Sequence, residues 1–130
     1  MKSEAFLIAD FVSIADLKLT IVNTFDTIAS DKFPFTFRPF GIAAKLIAGK
    51  AERGKEFEST LVLRKGETKI HEVHFKIKFP KPKGNLRASH LMAMNLLGVT
   101  FKAPGEYSVE LKKGTKVISS TVLYVKKQQL

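Results

Sequence analysis

Gly49-Lys50-Ala51-Glu52-Arg53-Gly54-Lys55-Glu56 has the glycine and lysine spacing of a phosphate-binding P-loop. In that motif a final Ser or Thr hydroxyl holds Mg²⁺, and the N-terminus of a following helix faces the phosphates. Here Glu56 stands in the hydroxyl position, where it would repel phosphate, and the residues after it alternate like a strand. A nucleotide site is not expected. His71-Glu72-Val73-His74 offers two imidazoles, but residues three apart on a strand point to opposite faces. Glu72 and His74 share a face, and two ligands fall short of a zinc site. His90 lies in the apolar phase between Ala88 and Met92, the setting of a hydrogen-bonded core or cleft histidine.

Acyl transfer needs a nucleophile beside an oriented base. Ser119 and Ser120 are flanked by strand residues and lack elbow glycines. Asp16 and Asp31 have turn chemistry. Asp10 and Asp26 lie within expected strands and would bring two carboxylates together if those strands were neighbours. No cysteine is present, which excludes a disulfide, a thiolate metal site and a Cys nucleophile. The reading is a non-enzymatic protein with no catalytic residue, no metal and no cofactor.

Lys76, Lys78, Lys81, Lys83 and Arg87 are the strongest binding candidates. Lys76 and Lys78 share one strand face, and the other three continue into a Pro-kinked loop, so the charges can form one patch. Phosphate contacts need only such donors. Stacking of single-stranded bases would need exposed aromatics among the lysines, and Phe75 and Phe79 fall in the buried phase. Nucleic-acid binding is therefore expected to be weak and sequence-unspecific.

The elements that position these residues are strands. Pro104-Gly105 and Lys113-Gly114 are turn signals, and they frame an alternating strand at Tyr107, Val109 and Leu111. Thr115–Val125 is the returning strand, and the hairpin is expected at a sheet edge. Gly105 two residues before Tyr107 has the spacing of a tyrosine corner. Glu4–Ile14 reads as the first strand, and Leu17–Ile28 as a second after a turn at Ala15-Asp16. Phe33–Phe40 is a Pro-punctuated crossing between sheets with its Phe side chains in the core. Gly41–Ala51 reads as a strand on the phase of Ile42, Ala44, Leu46 and Ala48. Phe57–Arg64 is the next strand. The cleanest alternation puts Val73, Phe75, Ile77 and Phe79 inward, with Glu72, His74, Lys76 and Lys78 outward. Leu86–Asn95 is a further strand. Eight strands without a long helical pattern predict a single all-β domain over residues 1–130, a two-sheet antiparallel, immunoglobulin-like β-sandwich.

The run Ala9-Asp10-Phe11-Val12, then Lys18-Leu19, Asn23-Thr24-Phe25-Asp26-Thr27-Ile28 and Phe33-Pro34, resembles a family of uncharacterised small bacterial β-sandwich proteins. Asn95-Leu96-Leu97-Gly98-Val99 and Pro104-Gly105-Glu106-Tyr107 extend the likeness towards the end of the chain. Lys45–Arg87 lies outside the matched stretches. The resemblance implies the sandwich fold and carries no catalytic residues.

Eleven Phe and no Trp among 130 residues suit a core between two sheets. Net charge is +10, and it is unevenly spread. Residues 1–44 hold four basic and five acidic residues, and residues 45–130 hold eighteen and seven. Such a basic half fits a polyanionic partner or lysines that keep sheet edges soluble. A cysteine-free chain suits a reducing, cytoplasmic setting. The apolar run near the N-terminus is too short for a signal sequence, and no stretch is long enough to span a membrane. Thr115–Val125 is apolar or β-branched in both phases. Ile118, Val122 and Tyr124 are therefore expected to face a protein partner or a second copy, unless a bulge near Ser119-Ser120 swaps the phase.

Overall fold

In the computed structural model, which describes residues 1–128, the chain is all-β. One sheet has the strand order β2 (Lys18–Thr24), β1 (Lys2–Ala15), β5 (Phe40–Ile47), β8 (Ser89–Leu96). A second has the order β3 (Thr27–Ser30), β11 (Lys116–Lys127), β10 (Gly105–Lys113), β6 (Glu56–Lys65), β7 (Thr68–Lys78). A two-stranded ribbon joins β4 (Phe35–Thr36) to β9 (Thr100–Phe101). The described residues thus contain eleven strands where eight were expected, and the three additions have local causes. The expected second strand divides at Phe25-Asp26, leaving β2 in one sheet and β3 in the other. The proline-rich crossing and the approach to Pro104 each contribute two residues, short enough to avoid the missing N–H of proline.

The pairing is also not wholly antiparallel. β3 runs parallel to β11, with Tyr124 opposite Thr27 and Val125 opposite Ile28. The β10–β11 hairpin, expected at an edge, sits within its sheet: β6 flanks β10, and β3 covers the last residues of β11. Lys116–Leu123 lies before that parallel ladder, so only the last third of β11 has a second neighbour. The bulge is present. Leu111 pairs with Ser119 and Lys112 with Val117, which leaves Ile118 as the extra residue.

Both large sheets feed one core. Ile8, Ile42, Ala44 and Leu46 from the first meet Leu61, Leu63, Ile77, Val109, Leu111 and Leu123 from the second. The strand expected over 41–51 keeps its phase through Ile47, then closes in one 3-10 turn at Lys50–Glu52. The expected inward set of β7 also holds: Ile77 and Phe79 are buried, and Val73 and Phe75 pack against the core. Phe25, Phe33, Phe35, Phe37, Phe40 and Phe101 form a chain of edge and stacked ring contacts beside Tyr107. Such pairs add to simple burial through the ring quadrupoles. The Tyr107 hydroxyl donates to the Ala103 carbonyl at 2.6 Å. That is the bond of a tyrosine corner.

A second, smaller cluster shapes the surface. Val12 and Ala9 of β1 pack with Ala43 of β5, joined by Leu19, Ile21 and Ala93. β1 pairs with β5 only as far as Ala9–Gly41, then continues with β2 as a two-stranded hairpin. The hairpin also touches β8, which is not its neighbour in the sheet. Small residues allow this approach. A Cβ added to Gly41 would stand 2.7 Å from Val12 Cγ2 and 2.8 Å from Asn95 Oδ1.

Candidate functional site

The residues expected to bind a polyanion do not form one free patch. Lys76 faces Glu56 and Glu58 at 4.0 and 3.9 Å, and Lys78 faces Glu56 at 3.7 Å. The cause is register: β6 places Glu56 opposite Lys78 and Glu58 opposite Lys76. Arg87 pairs with Glu4, whose carboxyl that guanidinium holds below the usual carboxylate range. Lys81 and Lys83 are exposed and carry no ion pair among the described residues. The five-residue cluster therefore separates into three compensated cations and two free ones.

The expected interface separates too. Ile118, displaced by the bulge, packs against the core cluster. Val122 is half-buried opposite Ser108, and Tyr124 is exposed opposite Glu106. Val122 and Tyr124 share the outer face of the five-stranded sheet, while Ile118 does not join them. That face is largely polar. Beside them Glu110, 7% exposed, takes a two-pronged contact from Arg64, with Nε at 2.7 Å and Nη2 at 3.2 Å.

The other chemistry-bearing residues have mundane partners. His74 Nε2 lies 3.0 Å from Glu72 Oε1, and its Nδ1 lies 3.3 Å from Thr60 Oγ1. His90 Nδ1 meets the Lys78 backbone at 3.2 Å, and burial lowers its pKa against the effect of that bond. Asp10 and Asp26 do not pair. Asp10 instead holds Arg38 at 2.7 Å and accepts from Asn23 Nδ2 at 3.1 Å, and both interactions keep its carboxyl low, Arg38 first. Arg38 also lies over the Phe37 ring at 4.8 Å. These groups line an open cleft of about 310 Å³ together with Phe25 and Thr27. Its two charged groups, Asp10 and Arg38, neutralise one another.

The clearest unsatisfied surface is one that sequence periodicity concealed. The β1–β2 hairpin is apolar on both faces. Val12 and Ile21 are paired across the strands and covered, whereas Phe11 and Val22, the next pair, are exposed. Ile14 follows at 45% exposure, and Leu17 stands at the tip at 92%. Asp16 and Leu17 both have positive φ, 51° and 59°, the geometry of a type I′ turn that favours Asn and Gly. Asp tolerates that region; a leucine there is strained by roughly 1–2 kcal/mol. Its exposed side chain gains little packing among the described residues in return. The sequence signal for this turn is Leu17 directly after Ala15-Asp16, a position whose apolar spacing to Leu19 and Ile21 also fits the start of an alternating strand.

A model of a family of unknown function, DUF6941, matches residues 4–126. The chain belongs to that family. No curated protein and no solved structure matches the chain. The span shared with DUF6941 contains the whole β1–β2 hairpin, the Asp10–Arg38 cleft and both Lys81 and Lys83. Among the described residues of this DUF6941 chain, no three His, Cys, Asp or Glu side chains stand together as metal ligands. No helix among them is long and apolar enough to cross a membrane.

Proposed function

We propose that this protein is a non-catalytic interaction module that docks a protein partner through its β1–β2 hairpin. One observation carries the reading: Leu17 is almost fully exposed in a backbone conformation that disfavours it. An apolar side chain held at such a cost, at the tip of a hairpin that exposes Phe11 and Val22 on one face and Ile14 on the other, matches the anchor of a protein interface, where a few apolar residues fill a partner's recess. The proposed scaffold is an immunoglobulin-like sandwich, supported by the shared core of the two large sheets and by the Tyr107–Ala103 bond. A reducing, cytoplasmic setting fits the absence of cysteine.

The sequence-based alternative, polyanion binding through residues 76–87, finds less support, because Lys76, Lys78 and Arg87 already face carboxylates. The Val122–Tyr124 face is the weaker candidate for docking, being polar around its edge.

A photoreactive amino acid at position 17 tests the docking reading in the cells that make the protein. The expected result is one discrete adduct, absent when the same group is placed at Glu67 in the β6–β7 turn. Adduct mass separates a second copy from a different protein. Equal, diffuse labelling from both positions would contradict the proposal.

A further inference from the structure

The two free lysines of the 80–87 loop do not stand alone. Two backbone bonds tie this loop to the one before β6: Gly54 N–H to the Pro80 carbonyl at 3.2 Å, and Phe79 N–H to the Lys55 carbonyl at 3.0 Å. The Arg53 guanidinium donates to the Leu86 carbonyl, and the Lys81 side chain covers Gly54, its Cβ 3.2 Å from where a Cβ there would lie. Residues 49–55, which resemble a P-loop in sequence, and residues 80–87 therefore form one end of the molecule.

The charge at this end is uncompensated. Lys50, Lys55, Lys81 and Lys83 are exposed, and none is ion-paired among the described residues. The nearby acids are all engaged elsewhere. Glu52 turns to the Met1 amine, Lys113 and the Gly49 N–H. Glu56 faces Lys76 and Lys78, and Glu4 faces Arg87 and Lys45. Among these lysines Leu86 is 67% exposed.

We infer that this end docks on an anionic lipid surface, with the four lysines over the headgroups and Leu86 entering the interface. Basic side chains next to an exposed apolar one suit a charged bilayer, where each contributes separately. Nucleic acid suits the end less well: it exposes no aromatic ring on which a base could stack. This surface is distinct from the hairpin. β1 begins beside it, with Lys2 opposite Ile47, and carries the Leu17 turn away, so a bound membrane leaves the hairpin free.

The test is co-sedimentation of the full chain with phosphatidylcholine vesicles, with and without phosphatidylserine. Binding is expected only with phosphatidylserine. It should fall steeply between about 0.1 M and about 1 M salt, as the screening length shortens from ~10 to ~3 Å. Each lysine contributes roughly fivefold, ~1 kcal/mol, so Lys81→Gln with Lys83→Gln should weaken binding about twenty-five-fold. Leu86→Ser should weaken it further at constant charge. Lys126→Gln with Lys127→Gln removes the same charge at the far end of β11 and should leave binding unchanged. Equal loss in that control, no dependence on phosphatidylserine, or tighter binding to a single-stranded oligonucleotide than to the vesicles would overturn the proposal.

Discussion

The Asn95 side chain bonds both backbone polar groups of Val12. Its Nδ2 donates to the Val12 carbonyl at 2.9 Å, and its Oδ1 accepts from the Val12 N–H at 3.2 Å. The carboxamide thereby takes the place of a neighbouring strand where the β1–β5 ladder has ended. It reaches Val12 across Gly41, its partner on β5, which has no Cβ to obstruct it. The β1–β2 hairpin is therefore fastened to the sheet at a defined point.

Asn95→Ala should leave the Val12 N–H and carbonyl without partners and cost ~1–3 kcal/mol, read as a lowered unfolding midpoint. Gly41→Ala should cost a similar amount, because the added methyl meets Val12 and Asn95 below 3 Å. Hydrogen exchange should then rise first in residues 10–22, ahead of β6 and β10. Uniform acceleration across both sheets would show that this contact does not anchor the hairpin specifically.

Acid should remove one identifiable contribution to stability. Burial alone would raise the Glu52 carboxyl, but the Met1 amine, the Gly49 N–H and Lys113 outweigh it and lower the pKa from 4.5 to about 2. A depressed folded-state value stabilises the protein above the unfolded pKa. The stabilisation is fully present above about pH 5 and fades as pH falls from 4.5 towards 2, by ~3 kcal/mol at most. Glu52→Gln should lower stability at neutral pH and flatten the unfolding profile across that window. An unchanged slope in the variant would remove Glu52 from the account.

The bulge on β11 predicts opposite outcomes for two residues of the same strand. Ile118→Lys replaces a half-buried side chain that packs against the core and should cost about 1–3 kcal/mol. Val122→Lys lies on the outer face, where the longer side chain can reach water, and should cost about 1 kcal/mol or less. Equal melting points for the two variants would contradict the assigned register.

These residues also mark how far the sequence could be read. Alternation reports which face of a strand is buried, and it located β6, β7 and β10 as well as the Tyr107 corner. It says nothing of which strand lies alongside, so the place of β11 between β3 and β10 and the change of sheet at Asp26 were hidden. A bulge shifts the phase by one residue without altering composition, which is why Ile118 and Val122 appeared to share a face. The charges failed for a related reason. Lys76 and Lys78 read as a free patch until register placed Glu58 and Glu56 opposite them. The β1–β2 hairpin and its turn were legible, but Leu17 continues the apolar spacing of Leu19 and Ile21, and only its positive φ identifies it as a turn residue.

The proposed docking role of the hairpin is tested most directly by Leu17→Gly, measured for both stability and adduct formation. Glycine accepts the left-handed conformation without strain, so the variant should melt at the same temperature or higher, by an equivalent of ~1 kcal/mol. A photoreactive group at Phe11 should at the same time lose the discrete adduct that it forms when Leu17 is present. A variant that is equally or more stable and no longer captures its partner is the predicted result. Undiminished capture after Leu17→Gly would contradict the claim that this hairpin is the docking element.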